Sequence, residues 1–226
     1  MKTTDRRSVR TRLALQEALA EEIHATGDLS RVTVTGVTER ADVTRRTFYS
    51  HYKDIPSLVS SIEDETIEDL APLAQAVSLV TLPELEDAIR DFGPCPGATE
   101  ILAYFRSRGK VLSALLGEGG DPAFSEKIKT MVRKVVESRA LDGFSTTALA
   151  VFDYYLTFAI SAEVGVLVRW LVTGMQESDY VMACIMTALM FIRPGDLYGR
   201  PLDLDIPSLA ADAAIHSKEN AHGTHH

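Results

Sequence analysis

The chain has 226 residues, 46% of them hydrophobic, and its 23 basic and 32 acidic residues give a formal charge of −9 at pH 7. This length allows one or two domains with a sizeable core, and the composition excludes a disordered, collagen-like or disulfide-stapled chain. The acidic total argues against a general nucleic-acid coat protein, yet residues 1–53 carry a net +3 and the remainder −12, so a basic head precedes an acidic body.

The cysteine content and the apolar runs indicate the cell compartment. Cys95 and Cys184 are too few for a disulfide framework or a metal cage, so we expect free thiols in a reducing compartment. The longest apolar run, Phe158 to Val172, is interrupted by Glu163 and Arg169 and is short for a membrane span. We therefore predict a cytoplasmic protein that is not inserted in a membrane.

The N-terminal quarter of the chain shows three short helical segments and no sustained strand pattern. Residues 1–7 are predicted to be a basic flexible arm, which either follows DNA or is a solubilising terminus. Residues 8–54 are predicted to form a helix-turn-helix domain, with helices at 8–26, ended by Gly27, at about 33–41, capped by Thr33, and at 45–51. The turn between the last two helices has only three residues, 42–44.

The remainder of the chain predicts a larger helical domain over residues 55–193. Asp54 caps a fourth helix, and further helices are expected at 84–92, 98–107, 109–116, 123–139, 146–173 and 178–192. The last two segments are apolar on every face, which requires neighbours on every face, and another subunit is the expected neighbour. Residues 194–226 are predicted to be a disordered tail.

The short third helix places polar groups where a DNA-reading helix needs them. Phe48 is expected to face the core, whereas Arg45 and Arg46 lie in the first turn, where the helix dipole disfavours cations by about 0.3–1 kcal/mol each. Such placement favours an external phosphate or base edge over a chance charge on a solvated bundle. The predicted DNA-binding residues are Thr33, Thr44, Arg45, Arg46, Thr47, Tyr49, His51 and Lys53.

Residues 33–54, and most specifically the Thr47-Phe48-Tyr49-Ser50-His51-Tyr52 stretch, resemble the DNA-binding domain of the TetR family of bacterial transcription regulators. The turn and the segments 115–124 and 158–175 look like a subgroup related to the dihydroxyacetone-kinase activator type. Two positions depart from the family pattern: Gly36 replaces a polar helix former, and Ile55 replaces a lysine that commonly contacts phosphate.

The resemblance implies an all-α homodimer in which the segments 146–173 and 178–192 of each protomer form a four-helix bundle across a two-fold axis. Two recognition helices roughly 34–36 Å apart then meet successive major grooves of a palindromic operator on double-stranded DNA. The resemblance also implies control by an effector, either a small molecule or a protein, and repression is expected more than activation.

An effector pocket between helices of the body would be mostly apolar with a few polar anchors. For any single candidate residue, ordinary core packing is favoured over a role in the pocket. The candidates are Tyr104, Phe105, Phe124, Met131, Tyr155, Phe158 and Arg169.

No catalytic motif is recognisable, so we expect no enzyme activity, no cofactor and no metal site. Glu21-Glu22-Ile23-His24 contains one Glu-x-x-His, but di-iron bundles need two, and this segment is predicted to lie on a solvated face. The alternative to a regulator is a helical adaptor or effector-binding protein without specific DNA binding. A helical enzyme is a third possibility, which a bound metal or cofactor in the purified protein would support.

Overall fold

The computed structural model describes residues 3–140 and 146–190, with side chains described for residues 6–138 and 152–190. Over these ranges the chain is entirely helical, which confirms the predicted all-α class. The helices are α1 (Thr3–Thr26), a 3₁₀ turn (Leu29–Arg31), α2 (Val34–Arg40), α3 (Arg45–Tyr49), α4 (Ile55–Val77), α5 (Leu82–Arg90), α6 (Ala98–Ser107), α7 (Gly109–Leu116), α8 (Pro122–Ala140), α9 (Thr146–Val172) and α10 (Asp179–Leu189). The predicted tail, residues 194–226, lies outside the described residues.

The first helix is longer than the sequence pattern predicts. α1 begins at Thr3 rather than near Ser8, so residues 3–7 of the predicted arm form its first turns. No glycine or proline interrupts residues 3–26, and nothing local therefore ends the helix at Ser8. At its other end, Gly27 adopts a φ of +71° and its N–H bonds to the Ile23 carbonyl at 2.8 Å, as predicted for the stop.

The helix caps follow the predicted residues. The Thr33 hydroxyl accepts a hydrogen bond from the Gly36 N–H at 3.1 Å at the start of α2. Asp54 accepts from the Ser57 N–H at 2.8 Å, and the Ser57 hydroxyl accepts from the Asp54 N–H at 2.9 Å, which completes a capping box. These local bonds fix where α2 and α4 begin.

Head and body share one hydrophobic core. α1 packs against both α2 and α7, and α4 packs against α6 and α8. The same buried cluster runs from Leu15 and Phe48 in the head to Phe105 and Trp170 in the body. Because the core is continuous, the orientation of the head is tied to the packing of the body helices.

Helix α9 is half covered in the described chain. It buries Leu156, Ile160 and Leu167 against α7 and α8, while Tyr154 and Phe158 are exposed. The span Phe152–Val172 is, by length and composition, sufficient to cross a membrane, with 33% of it buried. This span is longer than the predicted run from Phe158 to Val172, and the core helix of a non-membrane protein meets the same length and composition criterion.

The loop between α7 and α8 is attached to the head by a close backbone contact. The Leu29 N–H donates to the Gly119 carbonyl at 2.7 Å, and Gly119 has a φ of +82°. A Cβ at Gly119 would lie 2.2 Å from the Gly27 carbonyl oxygen. Only glycine fits here, because the left-handed backbone and the neighbouring backbone both exclude a side chain.

We predict that Gly119→Ala lowers the free energy of unfolding by about 1–3 kcal/mol, because it adds left-handed strain and a backbone clash. The measurement is the denaturant midpoint followed by circular dichroism. Gly93→Ala is the matched control, because a Cβ there would meet only the Ala88 carbonyl oxygen at 3.6 Å. Equal midpoints for the two variants would contradict the prediction.

Candidate nucleic-acid interface

The turn between α2 and α3 is built from one residue with a left-handed backbone and one backbone hydrogen bond between residues five positions apart. Asp42 adopts a φ of +51°, which short polar side chains tolerate better than bulky ones. The Val43 N–H then donates to the Thr38 carbonyl at 3.0 Å. The chain thereby reverses within the three residues 42–44 and sets α3 across α2.

Thr44 caps the recognition helix. Its hydroxyl oxygen lies 3.1 Å from the Thr47 N–H, which donates to it, and 2.9 Å from the Thr47 hydroxyl. At the other end the Ser50 hydroxyl donates to the Thr47 carbonyl at 2.6 Å. A helix of only five residues is too short to be stable alone, so these caps and the burial of Phe48 hold it.

The two arginines of the first turn differ in their surroundings. Arg45 donates from its guanidinium to the Thr35 hydroxyl at 2.6 Å and so joins α3 to the first turn of α2. Arg46 is exposed, and its guanidinium forms no hydrogen bond or salt bridge with the residues that the structure describes. No acidic side chain lies in the first turn of α3. The positive end of this helix therefore has two cations and no internal anion.

The predicted site residues lie on one side of the head. Phe48 is fully buried, while Tyr49, with 57% of its surface exposed, stands edge-on to it at 5.6 Å between ring centroids. Thr33, Thr44 and Lys53 are exposed, and Thr47 and His51 are half-buried. The division between a buried Phe48 and an exposed polar surface is the one that a DNA-reading helix requires.

A shallow cavity next to the end of α3 contains a cation that the sequence analysis did not place in the site. The cavity has a volume of about 330 Å³ and is lined by Ser8, Val9, Arg12, His51, Tyr52 and Ser61. Arg12 lies in α1, and its guanidinium is 3.2 Å from the Glu65 carboxylate of α4. The predicted helix at 8–26 already includes Arg12, but its position beside His51 depends on how α1 packs against the head.

A polar network joins the head to the body, and sequence analysis missed it. Gln16 of α1 is 2% exposed, and its side-chain amide donates to Glu65 at 3.1 Å. Arg108, between α6 and α7, donates to the Gln16 oxygen at 3.1 Å and to the Tyr104 hydroxyl at 3.2 Å. The sequence offered one indication of this network, a glutamine next to Leu15 on the core face of α1, because a buried amide needs hydrogen-bond partners.

The Glu21-Glu22-Ile23-His24 segment was predicted to lie on a solvated face of α1, but its two glutamates form ion pairs with neighbouring helices. Glu21 pairs with Lys110 of α7 at 2.6 Å, which lowers the pKa of this carboxyl, and Glu22 pairs with Arg40 of α2. Among the described residues no group of three or more potential metal ligands is found. These pairs add two polar links between α1 and its neighbours.

The candidate effector residues divide into a buried set and an exposed set. Phe105, Phe124 and Met131 are buried, whereas Tyr155 and Phe158 are exposed on α9. Arg169 is also exposed, and Tyr104 is half-buried beside Arg108. The structure does not bring the seven residues together, and their role as a pocket stays a prediction.

Glu163 is a further titratable group in the body. It is half-buried on α9, and burial raises the pKa of its carboxyl to about 7. Sequence analysis treated it only as an interruption of an apolar run. A carboxyl with this pKa is partly protonated at neutral pH, so it is both a donor and an acceptor within the helical body.

Comparisons with known proteins agree with this architecture. Residues 94–191 match a TetR-type family model, the transcriptional regulator C-terminal region. An uncharacterized HTH-type transcriptional regulator of Bacillus subtilis (strain 168), YxbF, is 32% identical over 91 residues, which are 39% of this chain and 24% of that protein. The match therefore spans about a quarter of the length of that relative.

A solved TetR transcriptional regulator from Streptococcus agalactiae 2603V has a TM-score of 0.51 and 20% identity, over 83% of this chain and 97% of that chain, and shows the shared fold. These findings show that the chain is similar to TetR-type transcriptional regulators and shares their fold. They do not identify the predicted subgroup.

We predict that Thr44→Ala costs about 1 kcal/mol of stability, because the Thr47 N–H loses its acceptor at the start of α3. Thr44→Ser is the matched control, because it keeps the hydroxyl oxygen. Denaturant unfolding of both variants measures the difference. A serine variant as unstable as the alanine variant would show that the methyl group, not the cap, is responsible.

Proposed function

We propose that the chain is a sequence-specific DNA-binding regulator, most simply a repressor, that acts as a homodimer on a palindromic operator. The observation that carries the proposal is the surface of α3, where Arg45, Arg46 and Tyr49 are exposed around a buried Phe48. Arginine fits guanine edges in the major groove, and threonine bonds to several base edges. Tyr49, His51 and Lys53 are placed to bond phosphates, which set the register of the protein on DNA.

The exposed apolar face of α9 and α10 supports a homodimer. In one chain Tyr154 and Phe158 are 77% and 70% exposed on α9, and Val181 and Ile185 are exposed on α10. Gly165 lies on the same side of α9, and a Cβ there would meet nothing within 4 Å. A small residue between large exposed ones lets two copies of α9 approach closely, and a second copy covers the face.

Control by an effector follows from the connection between body and head. α1 contacts α7 as well as α2, so a change in the body reaches the head through a packed helix. The protein has one conformation that fits the operator and one that does not. An effector releases DNA only if its affinity for the second conformation is higher than its affinity for the first. The effector is either a small molecule or a protein.

The alternative is a helical adaptor that binds an effector but no specific DNA. It would retain the same fold and the same exposed face on α9, so the fold does not separate the two functions. The arginines of α3 favour the regulator, because two cations at a positive helix end with no acidic residue in the same turn are unfavourable without an external anion.

We expect Arg46→Ala and Tyr49→Ala each to weaken binding to the operator by about tenfold or more, because each removes an outward contact of α3. The assay is a mobility shift at physiological salt with the DNA upstream of the protein's own gene. Arg90→Ala is the control, because it removes one exposed cation from α5 in the body. Weak binding that ignores sequence in the unaltered protein would favour the adaptor.

We expect the protein to sediment as a dimer at micromolar concentration and Gly165→Leu to raise the dimer dissociation constant by about tenfold or more. A Cβ at this position meets nothing within 4 Å among the described residues, so the effect of the substitution is expected on the facing copy. Ala123→Leu, which enlarges an exposed residue in the first turn of α8, is the control. A monomeric unaltered protein would refute the four-helix interface.

A further inference from the structure

A second cavity lies where the head meets the body, and none of the seven candidate effector residues lines it. It has a volume of about 360 Å³, within the lower range of small-molecule sites. The 3₁₀ turn, the first turns of α4 and the start of α8 surround it. Its lining is Leu29, Ser30, Val32, Ile55, Pro56, Val59, Ser60, Glu63, Asp121 and Lys127.

Glu63 is the unusual member of this lining. Glu63 is 1% exposed, and its Oε2 accepts a hydrogen bond from the Lys127 ammonium at 2.5 Å. Its other oxygen, Oε1, is buried and has no hydrogen-bond partner among the described residues. A buried carboxylate oxygen without a donor is costly, so this position calls for a further donor.

The charges around the cavity favour a cation. Asp121 acts on the same Glu63 side chain and, with burial as the larger cause, raises the pKa of the Glu63 carboxyl. The hydrogen bond to Glu63 raises the pKa of the Lys127 ammonium, and the negative charges of Asp64 and Asp121 raise it further. The cavity lining therefore has two carboxyl groups, Glu63 and Asp121, against one ammonium, Lys127, and this acidic excess attracts positive charge.

We propose that this cavity binds a small organic ammonium ion, whose charged group donates to Glu63 Oε1 and faces Asp121. The aliphatic part of such a ligand lies against the side chains of Val32 and Val59, which line the same cavity. A primary ammonium is favoured because it supplies several donors on one compact centre. The ligand contacts the 3₁₀ turn of the head and the first turns of α4 and α8 at once.

The test is calorimetric titration of the full chain with n-butylammonium chloride, at an ionic strength held constant with sodium chloride. We expect saturable binding of one ligand per chain. n-Butanol, which has the same chain and no charge, is expected to bind about tenfold more weakly or worse. Equal binding of the alcohol, or no saturable heat for the amine, would overturn the proposal.

Two substitutions move the affinity in opposite directions. Glu63→Gln removes the acceptor charge and is expected to weaken butylammonium binding by about tenfold or more. Lys127→Met removes the positive charge beside the ligand's ammonium group and is expected to tighten binding. Because Glu63 loses its hydrogen-bond partner in this variant, circular dichroism checks that it remains folded. Unchanged affinity in the folded Lys127→Met variant would refute the effect of this charge.

Control variants separate binding from stability. Glu118→Gln changes an exposed carboxylate in the same loop outside the cavity lining and should leave the affinity unchanged. Ser60→Leu, at the exposed rim, fills the cavity without altering its charges and should abolish binding even if Glu63→Gln fails to fold. Binding that survives Ser60→Leu, or a proton shared by Glu63 and Asp121 with no ligand uptake, would overturn the site.

Discussion

The position of the head depends on the packing of α1 between α2 and α7. Leu15 and Leu19 of α1 are fully buried, and this helix contacts both neighbours. Two polar links reinforce the packing on the body side, from Arg108 to Gln16 and from Lys110 to Glu21. A close-packed core switches between arrangements rather than deforming smoothly, so a shift of α7 reaches the head instead of being absorbed.

The local elements of this fold were predictable because their signals lie within a few residues. Thr33 and Asp54 each cap a helix through bonds to residues three positions on, and Gly27 ends α1 through its own backbone. The orientation of α9 was not predictable in the same way. Its sequence is apolar on every face, so the periodicity offers no contrast between Leu156, which is buried, and Tyr155, which is exposed.

The parts of the site that depend on distant partners escaped sequence reasoning. Gln16 and Arg108 are 92 residues apart, and Glu63 and Lys127 are 64 apart, yet each pair is hydrogen-bonded. Ile55 illustrates the same limit: the family pattern suggests a lost phosphate contact, whereas the structure uses this side chain in the core. Short-range patterns identify helices and caps, but pairing across the core requires the fold.

The carboxylates of α4 explain why this helix is held from two sides. Glu63 faces Lys127 of α8, whereas Glu65 faces Gln16 of α1 and Arg108. Residues two apart on an α-helix point roughly 200° apart, so the two carboxylates necessarily bind opposite neighbours. A rotation of α4 about its axis disturbs both sets of bonds together. A cation that binds Glu63 Oε1 acts on the α8 side of α4 alone, because Lys127 keeps its bond to Oε2 and the partners of Glu65 lie on the opposite side.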